Sequence, residues 1–268
     1  MKSYLGLWLL LAAALAVVIV VSAFSPVKIG EYELRDSGAY AALTAPRSET
    51  AADAIASGEA SEVGATEDEV PTMHEPAPVD TLPKTLLFVG DSMLEGLYPR
   101  LAAYADKNGH TLYAVIWYSS TSEVWGRSDK LKKYIEQLSP DYVFICLGAN
   151  ELFVRDIAAK RDGYVKEILS QVGSLPYLWI GPPNWKPDTG INRLVESNTA
   201  PGCFFLSDGM TFRRSKDGAH PTRESAVEWM DSVVRWMPAH HPHPIRLDLP
   251  DKNTSRARRV FVHQPSER

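Results

Sequence analysis

Cysteine is scarce in this chain, with only Cys146 and Cys203 among 268 residues. A metal site built on thiolates therefore lacks its ligands. Both cysteines sit inside apolar runs and read as small buried hydrophobes. A disulfide between them is left open, since spacing alone cannot bring two sulfurs together. No concentrated basic face is present either, and the net charge is −5. That excludes the electrostatic footprint of a nucleic-acid binder. Metal-ligand motifs, a phosphate-binding glycine loop and internal repeats are all missing, so no cofactor and no metal are expected. Lysine and arginine are absent from one long stretch: nine acidic residues and no basic one lie between Arg47 and Lys84.

What the chain does have begins with a long apolar run. Residues 5–24, LGLWLLLAAALAVVIVVSAF, carry no charge and are long enough to span a bilayer as a helix. Lys2 precedes them, which favours a cytoplasmic N-terminus, although Lys28 and Arg35 follow closely. The competing reading is a cleaved signal peptide, because Val21-Ser22-Ala23 has the small-residue pattern of a cleavage site. Both readings export the remainder. The expectation is a single-pass inner-membrane protein, its folded part in the periplasm or outside the cell, touching the membrane through residues 1–29.

Residues 30–83 are rich in Ala, Ser, Thr, Glu and Pro without sustained periodicity. Such composition cannot bury enough apolar surface to offset its ordering entropy, and it reads as an acidic tether reaching about 40 Å. The alternating stretch VKIGEYEL, residues 27–34, allows one short ordered piece. From Thr85 onward, apolar runs bounded by Gly, Asn, Asp and Pro alternate with segments of helical period. Strands are predicted over 85–89, 111–118, 142–147, 177–180 and 203–206. Helices are predicted over 94–108, 128–138, 163–172, 191–198 and 222–237, the last capped by Thr222. Strands alternating with helices, several apolar on both faces, imply a parallel sheet covered on both sides. The fold class is α/β, a three-layer α/β/α sandwich with a five-stranded parallel sheet spanning 84–240. The tail, 241–268, holds prolines and a basic cluster at Arg256, Arg258 and Arg259, and reads as a loosely ordered extension. His240, His241 and His243 read as a surface cluster.

In open α/β sheets the ligand site forms beyond the carboxyl ends of the strands. Ser92, in VGDSM, follows the first strand. Asn150, in LGANE, follows the third. Asp217 and His220, in KDGAHPT, lie between the last strand and the last helix. A serine hydroxyl needs a neighbouring base to become a nucleophile, and His220 is the histidine at this rim. Asp217, three residues earlier, orients the ring; Asp208 is an alternative for that role. The Asn150 amide and the Ser92 N–H are expected to donate to an oxyanion. Asn184 and Trp185, in GPPNW, follow the fourth strand and are candidates for a substrate pocket, or for the core.

GDSM at 90–93, GAN at 148–150 and DGAHPT at 217–222 resemble blocks I, III and V of the SGNH (GDSL-type) hydrolases, over roughly residues 83–239. The resemblance implies an α/β/α esterase or acyl-transfer enzyme with Ser92, His220 and Asp217 as its triad. The second block departs from the family: WYSSTSEVWG has serines where a glycine N–H would complete the oxyanion hole, and Gly126 stands far along. A backbone N–H near Ser120 is expected in that role. Exported relatives act on acetyl groups of polysaccharides, and some, like the alginate-acetylation proteins, work beside a membrane acyltransferase. The resemblance thus implies an acylated polysaccharide or a small acyl ester as substrate, and a membrane acyltransferase as a partner. A lipase or thioesterase, and a binding module without catalysis, are the alternatives.

Overall fold

The computed structural model describes residues 77–267, together with the short strands Lys28–Ile29 and Tyr32–Glu33. The chain divides into two units, residues 1–68 and 69–268. In the first, the two short strands pair antiparallel, Ile29 opposite Tyr32, within the stretch whose alternation suggested an ordered piece. The apolar run, its cleavage site and most of the acidic tether lie outside the described residues. Among the described residues no helix is long and apolar enough to cross a membrane.

The second unit is an α/β fold in three layers. Its strands are β1 (Thr85–Gly90), β2 (Thr111–Trp117), β3 (Tyr142–Cys146), β4 (Tyr177–Ile180), β5 (Phe204–Phe205) and β6 (Arg259–His263). Its helices are α1 (Leu94–Asn108), α2 (Ser122–Arg127), α3 (Lys130–Leu138), α4 (Ile157–Val172), α5 (Ile191–Asn198) and α6 (Arg223–His240). The sheet runs β5-β4-β3-β1-β2-β6, with every pairing parallel. Side chains on a strand alternate between faces, and β1 divides its apolar residues accordingly. Leu86 and Phe88 pack with Leu97 and Leu101 of α1 and with Trp229 and Val233 of α6. Leu87 and Val89 pack with Trp125 of α2, Leu131 of α3 and Val165 of α4. Each sheet face therefore has its own core, which is why the central strands read as unbroken apolar runs.

Four expectations are corrected here. The sheet has six strands, not five, and the sixth comes from the tail that was read as loosely ordered. β6 lies parallel to β2, with Ala114 opposite Val260 and Ile116 opposite Val262. The Phe261 ring packs on Tyr134 at 4.8 Å, tilted by 54°, and Arg259 lies over Phe261 at 4.6 Å. An edge strand half exposed and flanked by arginines lacks the continuous apolar signal of the central ones, so its sequence looked like a solvated tail. The boundary at 84 also moves. Asp80 donates its N–H to Pro244 and accepts from the N–H of Arg246, tying residues 77–83 to the tail. His241, read as part of a surface cluster, is buried, and its Nε2 lies 2.8 Å from the carbonyl of Tyr177.

The chain moves from β1 to β2 on one side and then crosses to β3 on the other. Strand order therefore reverses between β1 and β3, and a crevice opens at their carboxyl ends. Ser92 follows β1 and Asn150 follows β3, so both stand at that crevice.

Candidate active site

Gly90 ends β1 against β3. A side chain there would meet the Cys146 carbonyl at 2.2 Å, so the close approach of the two strands requires glycine. Asp91 follows, fully buried, with its N–H on the Cys146 carbonyl and its Oδ1 accepting the Met93 N–H at 2.9 Å. These bonds turn the chain from strand into α1 and leave Ser92 at the start of that helix. Backbone N–H groups at a helix start have no partner within the helix and favour negative charge nearby.

Ser92 Oγ lies 2.8 Å from His220 Nε2, and His220 Nδ1 lies 2.7 Å from Asp217 Oδ2. With Asp217 taking the Nδ1–H, Nε2 is left as the acceptor of the serine proton. The loop carrying both residues is folded on itself: Ser215 donates its N–H to the His220 carbonyl, and Arg214 bridges antiparallel to Pro221. Asp217 Oδ1 accepts the N–H groups of Ala219 at 2.9 Å and His220 at 3.0 Å. Asp217 thus forms the turn and also orients the ring. The Ala219 N–H, the His220 ring and the His220 N–H pull its carboxyl down to about 2, although it is open to solvent. Asp208, the alternative orienting acid, instead accepts the N–H of Gly209.

Asn150 meets the neighbouring loops rather than the triad itself. Its Nδ2 donates to the Ser120 carbonyl at 2.9 Å and faces Asp91 Oδ2 at 3.5 Å, a length that holds little. The expectation for Ser120 is not met: it is fully buried and its N–H closes a turn onto the Trp117 carbonyl at 3.1 Å. Ser119 of this loop lines the cleft instead, and its φ of 53° is the left-handed backbone a glycine would adopt. Gly126 belongs elsewhere, in α2 against Tyr164.

A cleft of about 630 Å³ opens at Ser92 and His220, lined also by Glu95, Pro99, Tyr118, Arg223 and Thr254. The Tyr118 hydroxyl donates to Glu95 across it. Asn184 and Trp185, the expected pocket residues, are not among its lining. Trp185 donates its Nε1–H to the Ala149 carbonyl at 3.2 Å and packs on Phe153. The Asn184 carbonyl accepts from Arg214. Both residues brace the loop after β4 against its neighbours.

Two residues, Arg214 and Thr254, escaped sequence reasoning. Arg214 donates to the carbonyls of Ala219, Pro183 and Asn184 at 2.8, 2.9 and 2.9 Å, joining the His220 loop to the loop after β4. Only its place just before DGAH could have drawn notice. Asp91, beneath the nucleophile, is pushed up to about 7, chiefly by burial. Thr254 comes from the tail, and no motif marks it. Among the described residues no group of acidic, histidine or cysteine side chains could hold a metal ion.

No family model and no curated protein matches the chain. Solved structures do. A psychrotrophic esterase from Pseudoalteromonas sp. is 19% identical over 57% of this chain and 96% of its own, with a TM-score of 0.42. A lipase/acylhydrolase from Enterococcus faecalis is 18% identical over 59% and 98%, at 0.46. A salicylyl-acyltransferase from a tetracycline biosynthetic pathway is 17% identical over 59% and 55%, at 0.42. At such identities the activities of those proteins do not carry over to this chain.

Proposed function

We propose that this chain is a serine acyl-transfer enzyme working through an acyl-Ser92 intermediate. The observation that carries the reading is the hydrogen-bonded row Ser92 Oγ–His220–Asp217, 2.8 and 2.7 Å, at the strand-end crevice. Ser92 Oγ attacks an ester carbonyl while its proton passes to His220 Nε2, and Asp217 stabilises the imidazolium. The carbonyl oxygen becomes an oxyanion, taken by the Ser92 N–H and the Asn150 amide. His220 then protonates the departing alcohol oxygen, leaving the acyl group on Ser92. An incoming water or sugar hydroxyl gives its proton to His220 and attacks the acyl carbon, releasing the product and restoring Ser92.

The acyl group in this reading is acetyl, and its carrier is an envelope or secreted polysaccharide. The uncharged N-terminal run supports export and anchoring at the inner membrane, where a membrane acyltransferase can act as donor. The charged and hydroxyl side chains of Glu95, Tyr118, Asp217, Arg223 and Thr254 in the cleft favour a hydroxyl-rich substrate over a long acyl chain. The test uses the full chain with p-nitrophenyl acetate, beside its Ser92→Ala variant. Nitrophenol release falling by about 10⁴-fold or more, with an unchanged melting temperature, is the expected result. Equal rates in the two proteins would overturn the acyl-enzyme reading. Acetate appearing on an added sugar oligomer marks a transferase; free acetate alone marks an esterase.

A further inference from the structure

The cleft at Ser92 does not end at the nucleophile. A second depression of about 380 Å³ adjoins it, and the two share Arg223 and Thr254 as lining residues. One wall of this extension is the start of α6, with Arg223, Glu224, Val227 and Glu228; the other is Asn253 and Thr254 of the tail.

The tail wall is held from beneath. Arg100, buried in α1, donates Nη1–H groups to the carbonyls of Lys252 at 2.8 Å and Asn253 at 3.4 Å. Its other face is gripped by both carboxylate oxygens of Asp231 at 2.6 and 3.1 Å, and Tyr104 donates to the same carboxylate. Ser255 closes the fixture with its N–H on the Pro99 carbonyl. A wall held in this way is formed before any ligand arrives, which lowers the ordering cost of binding.

Composition decides what it would hold. Glu95, Asp217, Glu224 and Glu228 line the two depressions against the one guanidinium of Arg223, while Met93, Pro99, Tyr118, Pro221 and Val227 supply apolar surface on which sugar rings can pack. An acidic wall repels a polyanion and accepts hydroxyl-rich or cationic units. We infer that the extension between α6 and residues 253–254 binds the sugar units neighbouring the acylated one, in a glycan that is neutral or carries amino groups rather than carboxylates. The inference rests on the acyl-Ser92 reading for the position of the reacting unit, while the binding itself does not need catalysis.

The experiment titrates the full chain carrying Ser92→Ala with acetylated xylo-oligosaccharides, glucosamine oligomers and acetylated oligogalacturonates, each as dimer and tetramer. The neutral and amino tetramers are expected to bind about tenfold more tightly than their dimers, the scale of one added set of contacts. The galacturonate tetramer is expected to bind about tenfold more weakly than the neutral one, with the gap narrowing near 0.5 M salt as charges are screened. Thr254→Trp, filling the extension, removes the gain with length, and Glu228→Lys narrows the discrimination against galacturonate. Equal binding of dimer and tetramer, or a uronate bound as tightly as the neutral sugar, overturns the inference. The outcomes for the two readings separate: Ser92-dependent ester hydrolysis without a length effect sinks the extended site alone. Length-dependent binding by a wild-type chain inert on every ester sinks the acyl-enzyme reading alone.

Discussion

Asp91 sits one residue before the nucleophile with no exposed surface, and burial raises its carboxyl to about 7. In the unfolded chain the group titrates near 3.8. The folded state therefore holds its proton more tightly, and stability drains away as pH rises from about 4 to about 7, by up to ~1.4 kcal/mol per pH unit. Asn in its place keeps the acceptor for the Met93 N–H and does not ionise. The difference in melting temperature between Asp91→Asn and the wild type should therefore grow in the variant's favour between about pH 4 and pH 7 and level off above; parallel curves would show that Asp91 does not titrate there. Asp217 behaves in the opposite way, staying ionised until pH falls towards about 2. At this scale the sequence was informative where chemistry needs a rare combination. Ser92, Asp217 and His220 stand in order, each just after a strand, and the structure brings their polar atoms within hydrogen-bond reach. Ser120 was misjudged because a positive φ at Ser119 re-aims the loop, and no serine-rich stretch announces that.

Loops and strands hold the site by contacts that no local pattern records. Arg214 is the clearest case, a planar donor fork reaching three carbonyls on two loops. Arg214→Gln should lower kcat by about tenfold to 100-fold through displacement of His220, with KM for p-nitrophenyl acetate changing much less. Arg214→Lys should not restore the rate, because a point charge cannot span both loops. Activity falling only in step with the folded fraction would reduce Arg214 to a stability role. The central strands were legible from burial on both faces and α6 from its Thr222 cap, whose hydroxyl accepts the Ser225 N–H. β6 was not, since its residues are half exposed and its partner strand lies over 140 residues away in sequence. Phe261→Ala should destabilise by about 2 kcal/mol through lost packing on Tyr134, measured by denaturant unfolding. An unchanged midpoint would mean that the edge strand contributes nothing to the sheet's stability.

For the molecule as a whole, two apolar cores on opposite sheet faces position one polar rim. The groups at that rim come from widely separated parts of the chain: Ser92 from just past the first third, Asn150 from the middle, His220 and Thr254 from the last quarter. Order along the sequence was enough to find the first three, because each follows an element that can be recognised by itself. Thr254 becomes visible only once the tail is seen to be held by Arg100.

The placement of β6 also has a consequence for biosynthesis. Ser92, Asp217 and His220 all leave the ribosome before residues 252–263 do. A nascent chain can thus assemble the triad on five strands while the outer edge of β2 stays bare and one side of the cleft is missing. Such an edge is a template for wrong pairing, and chains stalled at this stage would associate through it. The edge is covered when β6 docks on β2, and the groove is completed when residues 252–255 dock on Arg100 and Pro99, so one segment of the chain carries both the maturation of the site and the protection from aggregation.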